Sequence, residues 1–227
     1  MRDARVNYTV NHPGEAHRKL TYDPFEPEAV CTLDERFGGE GRYGQFGDGP
    51  KFVCAVDLLK ETKGDCLLVY SVGSFNQIDF ERAVHINLGC ETHTFDPTLA
   101  KPFVGGVYVT FHPWGFGKEK EETQVQQWKF ESRSLMGVMT DLNHTNRTLD
   151  IFKIDCEGCE HVALQEAFEA ISAGLVKIDQ VQVEMHGGSR ASLKTLFEAA
   201  DKADMRIFHK ERNTGAVMAG DVWSTPL

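Results

Sequence analysis

An α/β domain with an open, mostly parallel sheet is predicted by three observations. Continuous apolar runs such as Cys66 to Val72 (CLLVYSV) and Asp150 to Ile154 (DIFKI) have the length and character of strands covered on both faces. Segments with apolar residues at helical spacing alternate with these runs, as βαβ units require. The end of the chain, MRIFHKERNTGAVMAGDVWS, reads instead as two strands joined through Asn213-Thr214-Gly215, a closing antiparallel hairpin.

In chain order, residues 1–50 carry Pro13, Pro24, Pro27, Pro50 and the glycine-dense stretch Phe37 to Gly49, which predicts an irregular N-terminal arm or lid. Residues 51–227 form the main domain. Within it KFVCAVDLLKE predicts a helix, CLLVYSV a strand, IDFERAVHINL a helix, and ETHTF and VYVTF two strands. SLMGVMTDLNH is the next helix and DIFKI the next strand. HVALQEAFEAISAG and SLKTLFEAADKA are helices around the strand IDQVQVEM, and MRIFHK opens the final pair. Neither repeats nor low-complexity tracts interrupt the pattern.

A chain of 227 residues can bury one substantial core. Its formal charge of −10 repels phosphate backbones at long range, so nucleic acid is not an expected partner. No apolar run approaches the roughly 20 residues of a membrane span, and the first residues do not resemble a secretion signal, so the expectation is a soluble, by default cytoplasmic, protein without a membrane partner. Six cysteines are too sparse for a disulfide-stapled mini-fold. Most are expected to be buried small hydrophobes, with Cys31 and Cys54, which flank the irregular stretch, as the pair to test for a bridge.

In an open parallel sheet, ligands bind beyond the carboxyl ends of the strands. The segments there are SVGSFNQ (Ser71 to Gln77), FDPT (Phe95 to Thr98), HPWGFG (His112 to Gly117), DCEGCEH (Asp155 to His161) and EMHGG (Glu184 to Gly188). Asp96 follows Gly73 by 23 residues, near the offset of about 20 at which an acidic side chain on the second strand reaches a ribose diol. An adenosine-type cofactor fits. A dinucleotide needs three glycines near its pyrophosphate, and this loop supplies only Gly73, whereas S-adenosylmethionine has no pyrophosphate. Backbone N–H groups with Ser71, Ser74 or Asn76 would meet its methionine part. The plainer readings are an ordinary strand-to-helix loop and a turn aspartate before Pro97.

The phrase FKIDCEGCEH, with Lys153, Asp155, Glu157, Gly158 and Glu160, resembles the K-x-D-x-E-G-x-E signature of FkbM-like S-adenosylmethionine-dependent methyltransferases. YSVGSFNQIDFE, HTFDPT, VEMHG, DGPKFVC and FHKERN are similar to the related animal methyltransferase-like proteins, over roughly Asp48 to Pro226. The resemblance implies a Rossmann-like class I methyltransferase fold, a seven-stranded sheet with its last strand antiparallel, and methylation of oxygen. One departure is Tyr70-Ser71, where the family places an acid at the end of the first strand. Asp155 or a backbone carbonyl would then take the donor's ammonium group.

Asp155, Glu157 and His186 are the candidates for orienting the acceptor or acting as general base, with Glu184 in support. Glu184 and His186 could also hold a divalent cation with Asp155, although no metal is predicted, and a hydrogen-bonded polar pair is an equal reading. His112 and Trp114 would pack on adenine or cover the core. Glu160 reads as a helix-dipole partner. Cys156 and Cys159 form a C-x-x-C at a strand-to-helix junction, the rival signature of a thiol redox protein; structural zinc would need two further ligands. Lys118, Lys120, Trp128 and Lys129, mixed with Glu119, Glu121 and Glu122, read as a solvated face. The function these residues predict is methyl transfer from S-adenosylmethionine to a small-molecule, glycan or protein acceptor, with a non-catalytic binding module on the same fold as the further alternative.

Overall fold

The apolar run before Gly73 becomes a strand, Leu68–Val72, buried at all five positions, and the rest of the sheet is built around it. The computed structural model describes residues 25–39, 49–63, 67–99, 107–125, 127–213 and 222–224. Strands β1 (Asp34–Phe37) and β2 (Lys51–Cys54) form an antiparallel pair and lead into α1 (Val56–Lys63). There follow β3 (Leu68–Val72), α2 (Asp79–Leu88), β4 (Glu91–Phe95), β5 (Thr110–His112), β6 (Gly115–Phe116), β7 (Glu122–Val125) and β8 (Trp128–Arg133). The chain continues through α3 (Leu135–Asp141), β9 (Thr148–Ile154), α4 (Glu160–Ser172), β10 (Lys177–Met185), α5 (Arg190–Lys202), β11 (Glu211–Asn213) and β12 (Val222–Ser224).

The main sheet has the order β11-β12-β10-β9-β3-β4-β5. Its five central strands, β10 to β5, are parallel. Two three-residue strands, β12 and β11, add antiparallel to the β10 edge. After β3 the chain builds outward through β4 and β5, then returns to the other side of β3 for β9 and β10. The strand order therefore reverses between β3 and β9, and a crevice opens at that switch point.

Period-two side-chain alternation divides the core. Leu68, Tyr70 and Val72 join one cluster with Phe152, Leu164 and Phe197, while Val69 and Ile151 join the other with Val84 and Leu88. Each fully buried Leu or Val contributes about 1.5–3 kcal/mol of transfer free energy. Serine side chains start two of the helices: Ser134 accepts from the Gly137 N–H at 2.9 Å, and Ser189 from the Ser192 N–H at 3.1 Å. Gly89, at φ 64°, closes α2 with its N–H on the His85 carbonyl. No helix among the described residues is long and apolar enough to cross a membrane.

Several sequence expectations are corrected. KFVCAVDLLKE is not one helix: Lys51 and Val53 are buried and alternate with partly exposed Phe52 and Cys54, so its first four residues pair with β1, and Ala55 at φ 54° turns the chain into α1. MRIFHK is not a strand. Its Ile207 carbonyl accepts hydrogen bonds from Glu28 and Ala29, so this segment anchors part of the arm instead. The arm is accordingly not irregular throughout: it contains β1, and its Phe25 stacks on Phe197 at 3.8 Å. VYVTF forms a strand only from Thr110 onward. The solvated face expected around Lys118 to Lys129 contains the β7–β8 hairpin, which forms a small second sheet with β6.

The pair named for a bridge, Cys31 and Cys54, is bridged; against the expectation that most other cysteines are isolated hydrophobes, Cys156 is bridged to Cys159, and among the described residues Cys90 is the buried thiol. The predicted turn at Thr214-Gly215, residues 1–24 and 40–48 of the arm, and Cys66 lie outside the described residues.

Candidate functional site

Beyond the carboxyl ends of β3, β4 and β9 lies a cavity of about 560 Å³, within the range of small-molecule sites. Gly73 makes it possible. This residue leaves β3 at φ 78°, and a Cβ there would fall 1.7 Å from the Asp155 carbonyl oxygen, so only glycine lets the two strand ends approach. The junction is tied by the Asp155 N–H on the Val72 carbonyl at 2.9 Å and by Lys153, whose ammonium donates to the Gly73 carbonyl at 2.5 Å.

Asp96 borders the cavity directly beside this loop. Its Oδ2 accepts from the Phe75 N–H at 2.8 Å, the Ser74 N–H at 3.2 Å and the Ser74 hydroxyl at 3.4 Å. Oδ1 accepts from the Thr98 N–H at 2.9 Å and the Thr98 hydroxyl at 2.5 Å. The carboxylate thus caps two loops, as the plainer reading of Asp96 held. Two of its five donors are hydroxyls, which can rotate away and be replaced by the hydroxyls of a ligand.

Of the other residues assigned to cofactor contacts, Ser74 lines the cavity, whereas Ser71, Asn76 and Trp114 do not. Ser71 is fully buried and its hydroxyl donates to Glu81. Asn76 sits at φ 63° on the outer side of the turn. Trp114 is occupied elsewhere, tilted against His112 at 4.6 Å and covered by the Arg133 guanidinium at 3.8 Å. The aromatic walls are instead Phe116 from β6 and Trp128 and Phe130 from the β8 hairpin.

Glu81, from the first turn of α2, was not singled out by sequence and is the most informative addition. It is 1% exposed and borders the cavity; one oxygen receives Ser71, while Oε2 is buried with no hydrogen-bond partner. An acidic side chain therefore reaches the Tyr70-Ser71 strand end from the adjoining helix. Its sequence signal was an acidic residue ten positions after a strand-end serine, which helix-dipole preference explains equally well.

Asp155 and Glu157 line the cavity as expected, but Glu184 and His186 sit behind them. Lys51, 2% exposed, places its ammonium 3.1 Å from Glu184 and 3.4 Å from Asp155. Burial pushes the Asp155 pKa up, but Lys51, Lys153 and His186 outweigh it and hold the carboxyl below its ordinary value. Glu160 is not simply a dipole partner: fully buried, it accepts from the His186 N–H at 2.6 Å and its Nδ1 at 3.1 Å, and from the Gly158 N–H at 2.9 Å.

The acids around His186 hold its imidazole toward the protonated form. Burial lowers its pKa, but the Glu160 hydrogen bond and charge, with Asp155 and Glu157, raise it from 6.5 to about 9. A raised imidazole pKa stabilises the fold fully below pH 6.5 and loses that contribution as pH rises through about 9. Unfolding free energy is accordingly expected to fall by on the order of 3 kcal/mol across this window. In chemical denaturation His186→Gln should flatten that slope; an undiminished slope in the variant would refute the assignment.

The Cys156–Cys159 bridge lies in the cavity wall, so a redox pair is geometrically present. Its chemistry is unfavourable. The Glu160 carboxylate lies 3.3 Å from the Cys156 sulfur, and an adjacent anion raises a thiol pKa and suppresses the thiolate.

A family model described as a methyltransferase domain matches residues 6–222. Among solved structures, the METTL16 MTase domain (crystal form 2) is similar at 13% identity with a TM-score of 0.39, over 75% of this chain. The match spans 65% of that domain's length. No curated protein matches the chain.

Proposed function

The chain belongs to the methyltransferase-domain family, and from that premise we propose that it moves the methyl group of S-adenosylmethionine to an oxygen nucleophile presented at Asp155. The orphaned Oε2 of Glu81 carries this reading. A buried carboxyl oxygen without a hydrogen-bond partner, on the wall of a cavity, calls for a donor from a ligand, and the methyl donor's ammonium has that chemistry. The Gly73 loop would pass the methionine part, while Asp96 would exchange the Ser74 and Thr98 hydroxyls for a ribose diol. Phe116 and Pro97 offer apolar surface for adenine.

When bound, S-adenosylmethionine supplies an electrophilic methyl group on a sulfonium leaving group, so the protein's share is alignment and proton removal. Asp155 is ionised and suited to accept the hydrogen bond of an acceptor hydroxyl. Glu157, 60% exposed, connects that position to water and can carry the proton away. Glu184 and His186 keep Asp155 in place through Lys51 and direct ion pairing. The acceptor class is a hydroxyl of a small molecule, glycan or protein. Gly39 and Gly49 border the cavity, which supports reading residues 1–50 as part of the acceptor wall. We also read β12 and β11 as the closing hairpin of a seven-stranded methyltransferase sheet.

Calorimetric titration with S-adenosylmethionine and S-adenosylhomocysteine tests the proposal. The wild type should bind both, Glu81→Gln should weaken binding about 10- to 100-fold through loss of a charge-assisted contact, and Asp155→Asn should bind the donor while methylation of a hydroxyl acceptor falls about 10²- to 10⁴-fold. Failure of the wild type to bind either ligand overturns the reading. Binding without transfer to any acceptor would identify a non-catalytic module.

A further inference from the structure

Glu91 opens β4, at the strand end opposite Asp96 and the cavity. Around it the fold gathers His93 from the same strand and His144 from the loop after α3. His93 Nε2 lies 3.0 Å and His144 Nε2 3.5 Å from the same Glu91 oxygen, Oε1, and the three atoms lie within 4.8 Å of one another. The geometry points to a divalent-cation site, of zinc-binding chemistry, formed by Glu91, His93 and His144. Tetrahedral zinc with bonds of about 2.0–2.1 Å holds its donor atoms about 3.3 Å apart, and the two measured separations bracket that value.

The surroundings of the two imidazoles carry the inference further. Both present Nε2 to the common point, and both have Nδ1 held from behind: His144 by the Tyr70 hydroxyl at 2.7 Å, His93 by His112 Nε2 at 2.9 Å. Metal-bound histidines are oriented in this manner by partners on their second nitrogen. The Tyr70 oxygen and the His112 ring nitrogen can each accept a hydrogen bond, so the ring protons of His144 and His93 can sit on Nδ1 and leave both Nε2 lone pairs for an ion.

Arg147 engages Glu91 through Oε2, leaving Oε1 directed at the histidines. Both histidines are buried, whereas the Glu91 side chain is 45% exposed, so a fourth ligand such as water can enter from solvent. Two imidazoles with one carboxylate select a borderline cation over a hard one. The bound ion would join β4 to the loop connecting α3 with β9. The other His-containing acidic cluster among the described residues, Asp155, Glu184 and His186, differs because the Lys51 ammonium already lies between its carboxylates.

Zinc chloride titration of dialysed, disulfide-intact protein, followed by calorimetry and by thermal unfolding, tests this site. One equivalent should bind and raise the unfolding temperature, and cobalt(II) should show the intense visible absorption of a tetrahedral complex. Glu91→Gln and His144→Gln should weaken binding by about 100-fold or more, with His186→Gln unchanged. Glu91 is half-exposed, and circular dichroism verifies that its variant is folded. Absence of binding to the wild type, equal binding by Glu91→Gln, or loss of binding in His186→Gln would each overturn the proposal.

Discussion

Gly73→Ala is expected to eliminate donor binding and to lower stability by about 2–5 kcal/mol, the sum of backbone strain and overpacking. The added methyl would lie 1.7 Å from the Asp155 carbonyl oxygen and 2.6 Å from its carbonyl carbon. Neither atom can rotate away, because both belong to the backbone where β9 is hydrogen-bonded to β3. Relief requires the strand ends to separate, which widens the crevice and moves the Lys153 contact and the Ser74 and Phe75 donors of Asp96. Gly158→Ala provides the control. Gly158 also has a positive φ, 120°, but a Cβ there meets nothing within 4 Å, so its cost is backbone strain of about 1–3 kcal/mol without collision. Thermal unfolding and titration with S-adenosylhomocysteine should therefore separate the two variants, with Gly158→Ala keeping donor binding. Donor affinity in Gly73→Ala equal to wild type would show that the β3–β9 junction does not shape the site.

What the sequence disclosed followed from local periodicity. Leu68–Val72 and Thr148–Ile154 were readable because strands buried on both faces produce continuous apolar runs, and parallel order placed Gly73, Asp96 and Asp155 at one sheet end. Lys51 was not readable, since its partners Asp155 and Glu184 are 104 and 133 residues away, and an apolar spacing ambiguous between helix and strand concealed β2. Trp128 and Phe130 were hidden by the charges between them: in a hairpin, alternation places exposed Lys129 and Glu131 on one face and the aromatics on the other. His186 looked like a base because its titration is set by burial and by acids from another segment, Glu160 first, then Asp155 and Glu157, between the end of β9 and the start of α4. Composition of the EMHGG segment contains none of that field.

Lys51→Met should destabilise the fold by about 3–5 kcal/mol at pH 7, the usual consequence of removing one partner from a buried ion cluster. Methionine conserves most of the side-chain volume, so the loss reads charge more than packing. Without the ammonium, Asp155 and Glu184 remain as neighbouring carboxylates behind the cavity, and Lys153, 3.8 Å from Asp155, is the nearest remaining lysine. The pH dependence identifies the cause. In the wild type the depressed Asp155 pKa gives stability that is present above its ordinary value of 3.8 and lost as pH falls through the lower folded value. In Lys51→Met that pKa rises and protonation relieves the repulsion, so the deficit should narrow as the pH approaches 4. Adding Glu184→Gln to Lys51→Met should recover part of the lost stability at pH 7, because it relieves the repulsion between the two carboxylates; a second loss adding fully to the first would instead assign Lys51 a packing role. Denaturation of the single and double variants at pH 7 and pH 4 decides between these outcomes.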